Sequence, residues 1–370
     1  MPIAHKKIAV VLFQLGGPDS LEAVEPFLFN LFMDPDIIDF PLSWLARKPL
    51  AKFIAGKRVR KVQNNYSQIG GRSPILDLTR RQADALQLRL VAHGIQAQVF
   101  IAMRYWHPMT SEVVKEILAG EFNEVVLLPL YPQFSQATTG SSIHEWSRLT
   151  KKQGLNIPTR MVCCYPRHPG LVDAFVENIN SSLAKFSNIP VENIDLVFSA
   201  HGVPVSYIQK GDPYQVHIEE TVHRVVERGK WKSPLTLCYQ SKVGPVQWLK
   251  PSLVETVERL ASEGRKYLLI IPIAFVSDHI ETLHEIHIDA RGIAKSRGVQ
   301  QFELMPALND HPKFIGCLTD LVVQQLTQSV LCTTCETLWR GNNKRVKPKK
   351  CPQYKSSVEH ESRSSGIDIT

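Results

Sequence analysis

Short apolar runs alternate along the chain with longer amphipathic stretches. Four runs come first: "KIAVVLF" from Lys7, "AQVFIAM" from Ala97, "EVVLLPL" from Glu124 and "TRMVCCY" from Thr159. Four more follow: "DLVFSA" from Asp195, "PLTLCYQ" from Pro234, "YLLIIPI" from Tyr267 and "FELMPA" from Phe302. Between them lie stretches such as "SPILDLTRRQADALQLRLVAHG" and "QVHIEETVHRVVERG", whose apolar positions recur at helical spacing. Continuously apolar strands that alternate with helices belong to parallel sheets covered on both faces. The pattern predicts an α/β protein of two Rossmann-like domains, each a four-stranded parallel sheet flanked by helices. The halves echo one another: "VVLLPLYPQFS" resembles "LLIIPIAFVSD", and "VVLFQLGGP" resembles "LVFSAHGVP". The strand count places the domains at residues 1–188 and 189–330, with a low-order basic tail over 331–370.

Composition narrows the class. With 370 residues, 44% hydrophobic and 21% charged, the chain has material for two cores. No apolar run reaches the ~18–20 residues of a spanning helix, and the start "MPIAHKKIAVVLF" resembles neither a secretory nor an organellar leader. A cytoplasmic protein is expected, peripheral at most on the inner membrane. The net charge of +8 suits anionic partners, and "RKPLAKFIAGKRVRK" from Arg47 carries seven Lys/Arg and no acid. No nucleic-acid motif accompanies that charge, so nucleic acid is not an expected partner. Seven cysteines in a chain of this length indicate a reducing compartment rather than a disulfide framework.

Several stretches could carry chemistry. "SDHIETLHEIHID" (Ser277 to Asp289) packs four carboxylates and three histidines behind a core strand. Asp278, Glu281, Glu285 and Asp289 are spaced three, four and four apart, which stacks them on one helical face. A solvated helix face and a proton- or cation-handling row are both open. "HEIH" lacks the spacing of a zinc-protease pair. His201 in "FSAHGVP" follows a buried strand, where a neutral imidazole can act as base or metal ligand or merely cap a loop. "FQLGGPDS" reads as a tight strand-to-helix turn, without a nucleotide-binding fingerprint. "FLFNLFMDPDIIDFPLSWLARKPLAKF" combines bulky apolar residues with a basic end, as a greasy lip (about 25–60), an interfacial anchor or ordinary core helices would. Arg104, Tyr131, Tyr239 and Trp248 follow other strands. Together these strand ends suit a large flat ligand with anionic handles.

Taken as a set, "LGGP", "YSQIGGRSPI", "RYWHP", "YPQFSQATTGSS", "FSAHGVP", "GDPY", "QSKVGPVQWL" and "IPIAFVSDHIETLHEI" resemble the ferrochelatase family, in order, over roughly residues 7–328. The resemblance implies insertion of Fe²⁺ into protoporphyrin IX between two Rossmann-like domains, with release of two protons and no cofactor required. It implies His201 and Glu281 as catalytic and metal-handling residues. Asp278, Glu285 and Asp289 would form a proton or metal conduit. Porphyrin contacts would come from Leu15, Arg58, Tyr66, Ser73, Arg104, Tyr131, Tyr239 and Trp248. Leu15 stands where coproporphyrin-type relatives carry Tyr, which favours protoporphyrin. The apolar lip implies peripheral contact with a membrane surface.

The sequence leaves two questions open. Some family members hold a [2Fe–2S] cluster on four cysteines; here Cys332, Cys335 and Cys351 stand in the tail, Gln136 replaces an internal Cys, and Cys163 or Cys164 could be the fourth ligand. Zinc, or a tail of reactive thiols, would fit the same residues. A cobalt or nickel chelatase and a non-catalytic porphyrin carrier are the rival functions. Retention of His201 together with the whole acidic row argues against the carrier.

Overall fold

The computed structural model describes residues 6–37, 43–242, 244 and 246–327, with side chains of the second range from residue 46 on. Cys332, Cys335 and Cys351 lie outside them.

In chain order the first part runs β1 (Ile8–Gln14), α1 (Val24–Phe32), α2 (Ser43–Ser67), α3 (Ile75–Ala92), β2 (Ala97–Met103), α4 (Thr110–Ala119), β3 (Glu124–Pro129), α5 (Ser141–Gln153), β4 (Thr159–Met161) and α6 (Pro169–Leu183). Then come β5 (Ile194–His201), α7 (Val205–Gln209), α8 (Tyr214–Gly229), β6 (Leu235–Gln240), α9 (Leu253–Ser262), β7 (Tyr267–Pro272), a π-helix (Glu281–Ala290), α10 (Arg291–Ser296), β8 (Gln301–Leu304) and α11 (Pro312–Thr327). All eight apolar runs are strands. "TRMVCCY" pairs over only three residues before the chain leaves the sheet.

The strands form two four-stranded sheets, ordered β2-β1-β3-β4 and β6-β5-β7-β8, and every pairing is parallel. The expected two α/β halves are therefore present, each with the same strand order. The central strands account for the unbroken apolar runs: all seven residues of β1 are buried, as are the first seven of β5. The edge strands β2 and β6 carry more exposed positions, as one-sided pairing allows.

Contacts group the described residues into two compact units. One draws on Met1–Tyr165, Val276–Glu285 and Ala307–Ser329; the other draws on Pro166–Phe275 and Ile286–Pro306. The sequence division at 188/189 follows strand count, whereas the units follow packing. α6 precedes β5 but lies against α8 and β7, and α11 lies against α3 and β3. In the second unit a core of Val197, Cys238, Val257, Leu260, Leu268 and Ile270 joins the sheet to α9. In the first, Val24, Phe27, Leu28 and Phe32 of α1 meet Ala51 and Ala55 of α2 around Tyr66 and Tyr105. The bulky apolar residues of α1 are thus mostly core, with Leu31 and, just after the helix, Met33 only half-buried beside it.

Candidate active site

In each sheet the order reverses at one strand. β1 has its successors β2 and β3 on opposite sides, and β5 has β6 and β7. Ligands of open parallel sheets bind beyond the carboxyl ends of strands at such points. Beyond β1 lie Leu15, Gly16 and Gly17; β5 ends on His201, followed by Gly202.

The turn after β1 is built for close approach. Gly16 has φ +86°, a conformation that side chains disfavour. At Gly17 a Cβ would stand 2.5 Å from Ser73 Oγ and 2.6 Å from Ser73 Cβ. Ser73 is further held by its N–H donating to the Pro18 carbonyl at 2.8 Å. Leu15 packs, half-buried, on the α1–α2 cluster with Ile54, Trp106 and Ile280. Arg58 is half-buried, its guanidinium 5.8 Å from the Phe32 ring centre.

The segment from Val276 carries the acidic stretch. The expected α-helical face is instead a π-helix, which bonds i to i+5. Between the carboxylates, His279, Thr282, His284 and Ile286 are buried. Exposure grows along the carboxylates, from Glu281 (side chain 19% exposed) through half-buried Glu285 to exposed Asp289. His279 Nδ1 donates to the Ser277 carbonyl at 3.1 Å, and its Nε2 lies 3.7 Å from Glu281 Oε2. Burial alone would pull the His279 imidazole down, but the hydrogen bond and charge of Glu281 outweigh it and hold its pKa above the usual range. Burial lifts the Tyr66 phenol; the Glu281 charge adds to that, and a hydrogen bond with Ser73 opposes it. Tyr66, Ser73 and Glu281 are therefore neighbours. Asp278 lies just before the π-helix. Its Oδ1 accepts from Thr282 Oγ1 at 3.0 Å and from the Ala307 N–H at 3.3 Å, and its Oδ2 accepts from Asn309 Nδ2 at 2.8 Å.

Arg104 is not a lone cation. Asp34, with a side chain 0% exposed, lies 3.0 Å from Arg104 Nη2. It also accepts from the Tyr105 hydroxyl at 2.5 Å and from the Ser141 hydroxyl. Arg104 Nε donates to Ser141 Oγ at 2.7 Å. A buried carboxylate needs such donors, and here it compensates the guanidinium's charge. Next to it, His144 Nδ1 lies 2.9 Å from Asp36 Oδ2, and Gln136 Nε2 donates to Asp36 Oδ1 at 3.1 Å. Tyr131 is half-buried, and burial raises its phenol above the usual range. Sequence reading missed Asp34, Asp36 and His144. "MDPD" looks like an ordinary turn, and only the fold brings it to α5.

In the second unit, His201 Nδ1 lies 2.5 Å from the Gly202 carbonyl oxygen. A carbonyl only accepts, so Nδ1 carries the hydrogen and the lone pair of the neutral ring sits on Nε2. The imidazole stands beside the half-buried Trp248 and the Phe275 ring, each with its centroid 6.4 Å away. The Tyr214 hydroxyl donates to the His201 carbonyl at 3.0 Å. A Cβ on Gly202 would lie 3.0 Å from the Gln240 carbonyl oxygen and 3.3 Å from the Trp248 ring, so glycine lets these strand ends close up. Tyr239 is buried in β6, and burial raises its phenol. His201, Tyr239 and Trp248 thus gather in the second unit, while Leu15, Arg58, Tyr66, Ser73, Arg104, Tyr131 and Glu281 belong to the first.

The sequence profile of the ferrochelatase family matches residues 7–326. The chain is 46% identical to the ferrochelatase of Trichodesmium erythraeum over 323 residues, 86% of this chain and 83% of that protein. It is 47% identical to the ferrochelatase of Synechococcus elongatus over 325 residues, 87% and 83% respectively. Among solved structures, SirB from Bacillus subtilis with Fe³⁺ aligns with a TM-score of 0.52 at 12% identity, covering 87% of this chain and 96% of that one, a likeness of fold.

Proposed function

The chain belongs to the ferrochelatase family, and on that footing we propose that it inserts Fe²⁺ into protoporphyrin IX to form protohaem, the last step of haem biosynthesis. The enzyme is a lyase: Fe²⁺ enters, two pyrrole protons leave, and iron is a substrate rather than a resident cofactor.

The observation that carries the reading is the contact of His201 Nδ1 with the Gly202 carbonyl oxygen at the end of β5. A porphyrin must lose two N–H protons, and a flat ring hides its nitrogen lone pairs. Binding it distorted uses remote binding energy to expose them. With Nδ1–H tied to the Gly202 carbonyl, His201 offers Nε2 as proton acceptor or transient metal ligand. Glu281 is the second catalytic group. Paired with the buried His279 and followed by Glu285 and Asp289 of rising exposure, it begins a path for protons or metal to and from water. Carboxylate and imidazole donors hold Fe²⁺ loosely enough to surrender it. Arg58 suits a propionate, as a guanidinium suits any carboxylate. Arg104 is already compensated by Asp34, and with the apolar Leu15 in the same unit it suits the uncharged vinyl edge of protoporphyrin.

The working location is the cytoplasm, with peripheral contact at a membrane surface through α2. No helix among the described residues is long and apolar enough to cross a membrane. Phe53 of α2 is 58% exposed among exposed Lys48, Lys52, Lys57, Arg60 and Lys61. A [2Fe–2S] cluster on Cys332, Cys335 and Cys351 stays an expectation of the sequence, to be read from the visible spectrum of anaerobically purified protein.

The test is anaerobic insertion of Fe²⁺ or Zn²⁺ into protoporphyrin, followed by absorbance. His201→Ala and Glu281→Gln should each lower kcat by about a hundredfold or more while porphyrin still binds. Near-normal turnover in either variant would sink the assignment.

A further inference from the structure

We infer that Asn309 and Gln82 are positioning residues that aim the segment bearing Glu281, and that Asp278 is their strut rather than a member of the conduit. The inference rests on Glu281 being a catalytic group, as proposed above, and adds how its place is fixed.

Asn309 spends every polar group on this segment or its support. Its N–H donates to the Val276 carbonyl at 2.8 Å. Its side-chain Oδ1 accepts from the Asp278 N–H at 3.0 Å, and Nδ2 donates to Asp278 Oδ2 at 2.8 Å. Its carbonyl accepts from Gln82 Nε2 at 2.9 Å. Its φ is +46°, a conformation that Asn tolerates better than most residues.

Gln82 of α3 is wholly buried. Besides Asn309, its Nε2 reaches the Val276 carbonyl at 3.3 Å and Ser277 Oγ at 3.1 Å. Ser277 Oγ also lies 3.3 Å from Gln82 Oε1 and 3.5 Å from Gln14 Nε2. α3 and β1, two rigid elements, thus grip the segment from behind.

The grip passes forward through Asp278. Its oxygens take the three donors described above, one of them Thr282 Oγ1 in the first turn of the π-helix. Thr282 Oγ1 in turn accepts from the His279 N–H at 3.1 Å. His279 and Glu281 therefore leave the clamp in one fixed direction. Misplacing a reacting group by about 1 Å can cost about a hundredfold in rate, so a clamp of this kind acts on kcat. A carboxylate so filled with structural donors holds backbone in place, and the row of carriers begins at Glu281.

The test uses the full chain, Zn²⁺ and protoporphyrin, with kcat and porphyrin KM measured between about pH 5.5 and 8.5. Asn309→Ala and Gln82→Met should lower kcat about tenfold or more, with porphyrin KM changed by less than about threefold. Asn309→Asp sets a second carboxylate against Asp278, and two such groups can share one proton. Its kcat, divided by the wild-type value at each pH, should rise as pH falls, whereas the ratio for Asn309→Ala should stay flat. Should Gln82→Met lower the folded yield, Ser277→Ala removes one hydroxyl from the same network and should show the same split of kcat against KM. An unchanged kcat, a loss confined to KM, or an Asn309→Asp ratio as flat as that of Asn309→Ala overturns the clamp and leaves the reaction standing. A wild-type chain that inserts no metal overturns the reaction itself, and the clamp with it.

Discussion

His144 and Asp36 make a pair whose worth depends on pH. The hydrogen bond and charge of Asp36 hold the His144 imidazole above its usual range, against its burial. Burial tends to raise Asp36, but His144, Gln136 and the Arg104 charge outweigh it and hold the carboxyl below its usual range. A raised histidine contributes stability in full below its unfolded pKa of about 6.5 and loses it as pH climbs through the folded value. A lowered carboxylate contributes in full above its unfolded pKa of about 3.9 and loses it on acidification. The pair therefore counts most between about pH 4 and 6.5. With 44% of the His144 side chain exposed, solvent limits it to about 0.5 kcal/mol. His144→Gln should lower the denaturant midpoint more at pH 5.5 than at pH 8.5; equal losses at both would remove the ion pair from the account. Nothing in the sequence pointed to this pair, because its partners stand 108 residues apart. The places of His201 and Glu281 in the fold were legible for the opposite reason: His201 closes β5 and Glu281 comes after β7, both strands with unmistakable apolar runs.

The turn leaving β1 is where an element's geometry rests on one missing methyl. Gly17 has a backbone open to other residues, yet its Cβ site is already filled by Ser73. Gly17→Ala should destabilise the first unit by about 1–3 kcal/mol, the usual cost of overpacking. Ser73→Gly, which removes both clashing atoms, should recover most of that loss in a double-mutant cycle followed by chemical denaturation. Additive losses would show that the strain lies elsewhere. The glycines themselves were readable as a tight turn, but the partner that demands Gly17 was not, since Ser73 arrives from beyond α2. Six of the eight strands were read to within about a residue because period and apolarity are local properties, while the runs over β4 and β8 overshoot the paired residues. The π-helix was not, because spacings of three and four fit an α-helix equally well. His279, Thr282, His284 and Ile286 are buried there, a tertiary burial that the spacing of the carboxylates does not report. The clamp of Asn309 and Gln82 was hidden likewise: both look like loop or surface residues until α3 and the chain after β8 are brought to one segment.

At the scale of the molecule, charge is the property that a count hides and a map reveals. The net +8 says only that anions are welcome. The seven basic residues from Arg47 to Lys61, unrelieved by any acid, give that charge an address on α2. Lys57 Nζ lies 4.4 Å from the centre of the exposed Phe53 ring, so an apolar group and a cation are presented together, as at an interfacial anchor. Basic residues close to an anionic membrane contribute about 1 kcal/mol each, and the attraction fades within a Debye length of about 8–10 Å. The chain should sediment with vesicles containing anionic lipid at low salt and come off as salt is raised, and it should bind neutral vesicles weakly. Replacing Lys52 and Lys57 together by Gln should weaken binding by about 2 kcal/mol, a factor near thirty, whereas Phe53→Ser should weaken it with little change in salt dependence. Metal insertion into a soluble porphyrin should be untouched by all three changes, since none of these residues belongs to the proposed site. Equal affinity for neutral and anionic vesicles, or insensitivity to salt, would detach α2 from the membrane and leave its basic face to a soluble anionic partner.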